Sequence, residues 1–445
     1  MRAMMLALGA CAAPSGSDAV PGGGGETGAA TTARETGWSF ATLDDADGGL
    51  QLQLVAGEAS AWAAWFATAP TSDGICDEIE VAPPPRERFA LRAARVTIAG
   101  VEPALDVAAP VAAVQPAGLD LAIDESGRPA LAFTGGEPEG QYCGAHDAVL
   151  ASFDGEGWVS QTAAVDSGDA ASGEPASDAG FVVGHWPAVA FDPQGEPAVL
   201  YRDVHFGSLQ RDDQFRADAE LAWKTGGTWQ REIVDLGDGG GAHGRLAFDP
   251  EGRPVAAYVI PVEKAKSRLG VWVARLDGGV WEHVRLHDGD VPDQIGLVVD
   301  EGGITVAFTD TRVRSARLRQ LSAGADLSDP GAWSDERVGR GPYDEGRHVS
   351  VAIDPDGAPV LAYHVCKRLT DTQTSCNLGD EALVVAAREG DGWSYEVVRS
   401  AAGGSCGRYT SLAFDRTGRA WLGFRCSVEV ADGFAFRPQI AWRDW

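Results

Sequence analysis

The chain is 445 residues long, with 44% hydrophobic residues and 65 acidic against 36 basic side chains, a formal charge of −29. That balance excludes a protein that tracks a nucleic-acid backbone and one that docks electrostatically on anionic lipid, because both need a basic face. The length can hold a sizeable core, and no apolar run is long enough to span a bilayer as a helix.

The chain starts with one basic residue and a short apolar core, ending at Leu8-Gly9-Ala10-Cys11. This tetrapeptide resembles the lipobox of bacterial lipoproteins. The resemblance implies a signal over residues 1–11, a lipid on Cys11, and a place in the cell envelope; a plain secretory signal is the alternative. Residues 12–35, rich in Gly, Ala, Ser and Thr, read as a flexible tether. Setting Cys11 aside leaves six cysteines, an even number of the kind that pairs in an oxidising compartment.

From residue 36 to 445 the chain reads as one domain built on a repeat. The first phrase of the repeat is LAIDESGRPALAF at 121–133, VAFDPQGEPAVLY at 189–201, LAFDPEGRPVAAY at 246–258, LVVDEGGITVAF at 297–308, VAIDPDGAPVLAY at 351–363 and LAFDRTGRAWLGF at 412–424. Each is an apolar strand, an Asp-x-x-Gly turn and a second apolar strand, with Asp capping turn amides and Gly taking φ > 0. Strands apolar on both faces are buried on both faces. A second phrase follows, a strand, a turn and a Trp-led strand, placing Trp158, Trp229, Trp281, Trp333 and Trp393 at one equivalent position between sheets. The two phrases make a four-stranded unit of about fifty to sixty residues, the size of a propeller blade.

The last copy ends on a third strand, Pro438–Trp445, and the missing fourth matches Gly37-Trp38-Ser39-Phe40 at the other end. An N-terminal strand completing the C-terminal sheet closes a ring and removes its open edge. The fold class is therefore all-β, a β-propeller. Seven blades are expected if 52–66 and 89–100 form a degenerate first copy, six plus an insertion otherwise. The chain resembles bacterial exported β-propellers, broadly sialidase-like and related lipoprotein propellers. The repeat lacks the Ser and Thr-Trp of the sialidase Asp-box, so no catalytic residue carries over.

The functional face is expected where chain enters each first strand and leaves each second one. Three residues before the first apolar position stand Trp186, His243, Gln294, His348 and Tyr409; one earlier come His185, Ala242, Asp293, Arg347 and Arg408. The exits add Arg202, Asp203, Asp310, Arg312, His364 and Arg425. Aromatics beside arginines suit a sugar or carboxylate ligand. The histidines lie on separate repeats without short metal-ligand spacing, so neither metal nor cofactor is expected. Cysteine placement on the same loops predicts Cys76–Cys143, Cys366–Cys376 and Cys406–Cys426.

No nucleophile elbow, phosphate loop or zinc-protease motif occurs. Asp203 and Asp310 are the first acid/base candidates. The expected function is a monomeric, non-catalytic binding module for a glycan or an envelope protein. Two alternatives stand beside it: a glycan-active hydrolase or lyase using the same mouth, and a structural subunit of an envelope assembly.

Overall fold

The computed structural model describes residues 37–45, 48–70, 88–112, 118–135, 147–165, 182–206, 216–236, 239–261, 267–339, 341, 343–370, 376–401, 404–430 and 433–445. The lipobox, the tether, Cys76 and Cys143 lie outside these residues.

The described residues form seven antiparallel sheets. Blade 1 uses Gly48–Ala56, Ser60–Pro70, Arg88–Thr97 and Leu105–Ala112, so the degenerate segment is a true blade. Blades 2 to 6 have first strands Leu119–Ile123, Val182–Phe191, Ala242–Phe248, Gly296–Asp300 and Asp344–Ile353, each followed in order by three more. Blade 7 holds Cys406–Phe414, Arg419–Val430 and Gly433–Asp444, and its fourth strand is Ser39–Thr42, with Ser39 opposite Trp442 and Thr42 opposite Gln439. The seven first strands touch one another in cyclic order, blade 7 returning to blade 1, so they line a central channel.

The turns form for the reasons their sequence gives. Asp124 Oδ1 accepts from the amides of Ser126 and Arg128, each at 2.9 Å, and Gly127 sits at φ 80°. Asp192, Asp354 and Asp415 cap their own turns in the same way. Second strands are largely buried, and wholly so in Pro254–Ile260 and Pro359–Cys366. Their Val, Leu and Ala side chains pack between blades, at roughly 1.5–3 kcal/mol for each fully buried Val or Leu.

The Trp-led strands seal the same seams. Trp281 donates its indole N–H to Glu232 of blade 3 at 3.2 Å, and Trp393 donates to Glu336 of blade 5 at 3.2 Å. Trp333 departs from this register. A 3-10 turn over Pro330–Ala332, capped by Asp329, delays the fourth strand of blade 5 to Glu336–Val338. Trp333 is instead buried ahead of that strand, donating to the Leu327 carbonyl at 3.1 Å.

Two of the expected disulfides are present, Cys366–Cys376 and Cys406–Cys426. Cys406 and Cys426 stand directly opposite each other on the first two strands of blade 7. Such bonds are those of a protein that folds in an oxidising compartment.

Candidate functional site at the channel mouth

Five of the seven first strands begin with a kink at the channel mouth. In blades 3, 4, 6 and 7 the ladder slips by one or more residues, and the residue at the slip is left-handed: Trp186 (φ 48°), His243 (51°), His348 (52°) and Tyr409 (52°). Gln51 of blade 1 does the same at 56°. Two residues earlier stands a glycine, as in Gly184-His185-Trp186 and Gly346-Arg347-His348. A Cβ on Gly184 would meet the Ala148 backbone at 2.6 Å, and one on Gly346 the Ala316 backbone at 2.3 Å. The kink is therefore wedged against the preceding blade, and only glycine fits there. In blade 2 the kink position is Gly118, whose missing side chain leaves room for Trp186.

These residues meet in two groups. Trp186 lies 4.1 Å from the His185 ring and 4.8 Å from His243, with the Arg202 guanidinium 5.4 Å from its ring centre. Across blades 6 and 7, His348 lies 4.8 Å from Tyr409 and 6.2 Å from His364. Asp293 joins the groups electrostatically. It lies 4.0 Å from His348 Nδ1, acts on both His243 and His348, and has a buried Oδ2 with no hydrogen bond among the described residues.

Burial lowers both His243 and His348 to about 4, outweighing the opposing pull of Asp293. Burial also raises Tyr409, against the charges of Arg425 and Arg408. The mouth therefore presents two neutral imidazoles and a protonated phenol at neutral pH. Arg408 is held by Glu381 at 2.8 Å, and Arg347 by Asp344 at 2.9 Å. Burial opposes ionisation of Glu381, yet the nearby His364 imidazole and hydrogen bonds from Arg408 and Ser405 overcome it and hold the carboxyl at about 2. Arg425 is fixed by the Gly48 carbonyl at 3.0 Å and stacks on Phe436.

The expected row thus comes together for His185, Trp186, His243, Arg347, His348, Arg408 and Tyr409, with Arg202 against Trp186. Gln294 sits differently. Its amide donates to the carbonyls of His348, Val349 and Thr410 at 3.1, 3.2 and 2.6 Å, tying blade 5 to blades 6 and 7. Asp203 is fully buried beside His205 and Asp218. Asp310 is buried beneath Arg312 and Arg317, outside the ring. Arg312 belongs to a separate cleft between blades 4 and 5. Glu381, which fixes Arg408, opens a third strand and stands in neither aligned row. The glycine two positions ahead of each left-handed residue in blades 1, 3, 4, 6 and 7 was the readable signal for the geometry.

A cavity of about 690 Å³ opens at the other end of the channel, among the Asp-x-x-Gly turns, lined by Trp62, Phe191, Phe248, Phe414, Arg95 and Arg416. Several of its polar groups are already committed. Asp124 and Asp192 bond their own turn amides, and Arg416 pairs with Glu58 at 3.4 Å. The entry-side mouth is the better candidate on that ground.

No family model and no curated relative matches this sequence. Among solved structures, the chain is similar to a protein of unknown function from Dyadobacter fermentans at 12% identity and a TM-score of 0.44, covering 91% of this chain and 99% of that one. It is similar to the polysaccharide lyase Uly1 at 9% identity and 0.46, covering 88% and 89%. A third is the Hadza microbial sialidase Hz136 at 15% and 0.41, covering 79% and 73%.

Proposed function

We propose that the channel mouth binds a glycan carrying a carboxylate or sulfate group. The observation that supports this is the row of left-handed Trp186, His243, His348 and Tyr409. Each costs a non-glycine residue roughly 1–2 kcal/mol, and such strain is concentrated where side chains must be aimed. The aimed groups are two aromatic faces, two neutral imidazoles, and arginines fixed by carboxylates, which suits a sugar ring with an acidic substituent. On an array of acidic and neutral glycans, the wild type should give a signal on acidic members. His348→Ala with Tyr409→Ala should abolish it without lowering the melting temperature. No wild-type signal on a broad array would end the glycan reading.

A second reading has its own support in the pairing of neutral His348 with protonated Tyr409 beside Arg408 and Arg347. An unprotonated imidazole, a phenol and a guanidinium are what β-elimination from a uronate needs: a base, an acid and a partner for the carboxylate. Release of unsaturated uronate from a bound acidic glycan, followed by ultraviolet absorbance, separates this reading from pure binding. Membrane attachment through Cys11 accompanies either reading, and Cys11→Ser should then move the protein to the soluble fraction.

A further inference from the structure

Building on the glycan reading above, we propose that Arg245 receives the acidic group of the ligand and so sets the preference for acidic over neutral sugars.

Arg245 lies on the first strand of blade 4, two residues past the left-handed His243 and opposite Ala257 of the second strand. Blades 1, 2, 6 and 7 carry Gln53, Asp120, Ser350 and Ser411 at the same offset. Three of these tie neighbouring first strands together. Asp120 accepts from the Val189 amide at 3.0 Å, Ser350 bonds Thr410 at 3.3 Å, and Ser411 accepts from the Leu54 amide at 2.9 Å. Arg245 makes no such tie. Among the described residues its side chain bonds only the carbonyl of its own neighbour, Gly244, at 3.1 Å. A guanidinium carries a fork of donors, so most of Arg245 remains uncommitted.

Its charge reaches the lumen on the mouth side. It acts on His243 at the mouth and on Asp120 of blade 2. Blade 3 stands between blades 2 and 4, so that influence passes over its first strand. Arg245 is half-buried, and it does not line the cavity at the turn end, although Phe248 and Asp249 from the same blade do. Arg347 and Arg408 are paired with Asp344 and Glu381, so they orient a ligand without adding net positive charge. Arg245 has no carboxylate within ion-pair distance among the described residues. Burial raises the pKa of the acid it acts on, Asp120, against the pull of Arg245, which favours the uncharged carboxyl. A half-exposed guanidinium without a carboxylate, beside neutral imidazoles, suits the oxygens of a carboxylate or sulfate.

The test is NMR of the full chain during titration with sodium glucuronate and, separately, with methyl glucoside. The signal followed is the Arg245 Nε–H, assigned by its loss in Arg245→Gln. A saturable shift with glucuronate and none with the neutral sugar is expected. On the array, Arg245→Gln should lower the preference for acidic over carboxyl-reduced glycans by about tenfold or more, at an unchanged melting temperature. Arg245→Lys, which keeps the charge without the fork, should retain part of that preference. An Arg245 signal that glucuronate does not move, or an acidic preference that survives Arg245→Gln, overturns the assignment and leaves the glycan reading standing. No wild-type signal on the array ends that reading, while the glucuronate titration still decides the role of Arg245.

Discussion

Trp186, His243, His348 and Tyr409 are paired with the glycines that make their conformation possible, and both halves of the device are written in the chain. The aligned rows showed which side chains gather at the mouth. They could not show Glu381 clamping Arg408, because that carboxylate sits on a third strand and is brought in by blade stacking. Nor could they show Gln294 spending its amide on three carbonyls, since backbone acceptors leave no mark in a sequence. The two mouth histidines carry a pH signature. Each titrates near 4 in the fold against an ordinary 6.5. Between those values the unfolded chain binds more protons, so stability is full above about pH 6.5 and is lost as pH falls toward 4. Glu381, held at about 2 against 4.5, adds a further loss below pH 4.5. Calorimetry should show a melting temperature that falls from pH 6.5 to 4. The fall should be shallower in a His243→Gln, His348→Gln variant; an unchanged slope would refute the assignment.

At the scale of elements, the repeat was legible because each turn carries its own chemistry. Asp caps, Gly takes positive φ, and apolar strands on either side admit one arrangement. Blade 1 was harder to read, since Gly57 replaces the capping Asp and only strand length remained as a guide. Blade 5 misled on Trp333 because the 3-10 turn after Asp329 shifts the last strand, and a Trp buried by either route looks alike in sequence. The closing strand Ser39–Thr42 was visible as an orphan half-phrase. Its anchor is Trp38, only 7% exposed, part of the core cluster that joins blades 6 and 7 and lying under Arg443. Trp38→Ala should cost about 3–5 kcal/mol, read as a lower denaturant midpoint. A loss under about 1 kcal/mol, the scale of an ordinary surface change, would mean the ring does not depend on that strand.

Over the whole molecule, closure of seven blades fixes two unlike ends of one channel. One end is made of self-satisfied turns, and Trp38 and Ser39 lie on that side, opposite the last residues of blade 7. The other end collects the imidazoles, aromatics and arginines. An acidic chain with an arginine-lined mouth also favours selective rather than general attraction of anions, because the −29 background repels polyanions that lack the local contacts.

The most direct measurement is NMR of histidine-labelled protein during titration with an acidic oligosaccharide that scores on the array. The account predicts that the ring-nitrogen signals of His243 and His348 shift together and saturate with the ligand. Saturable binding that leaves both imidazoles unmoved would place the ligand elsewhere and contradict it.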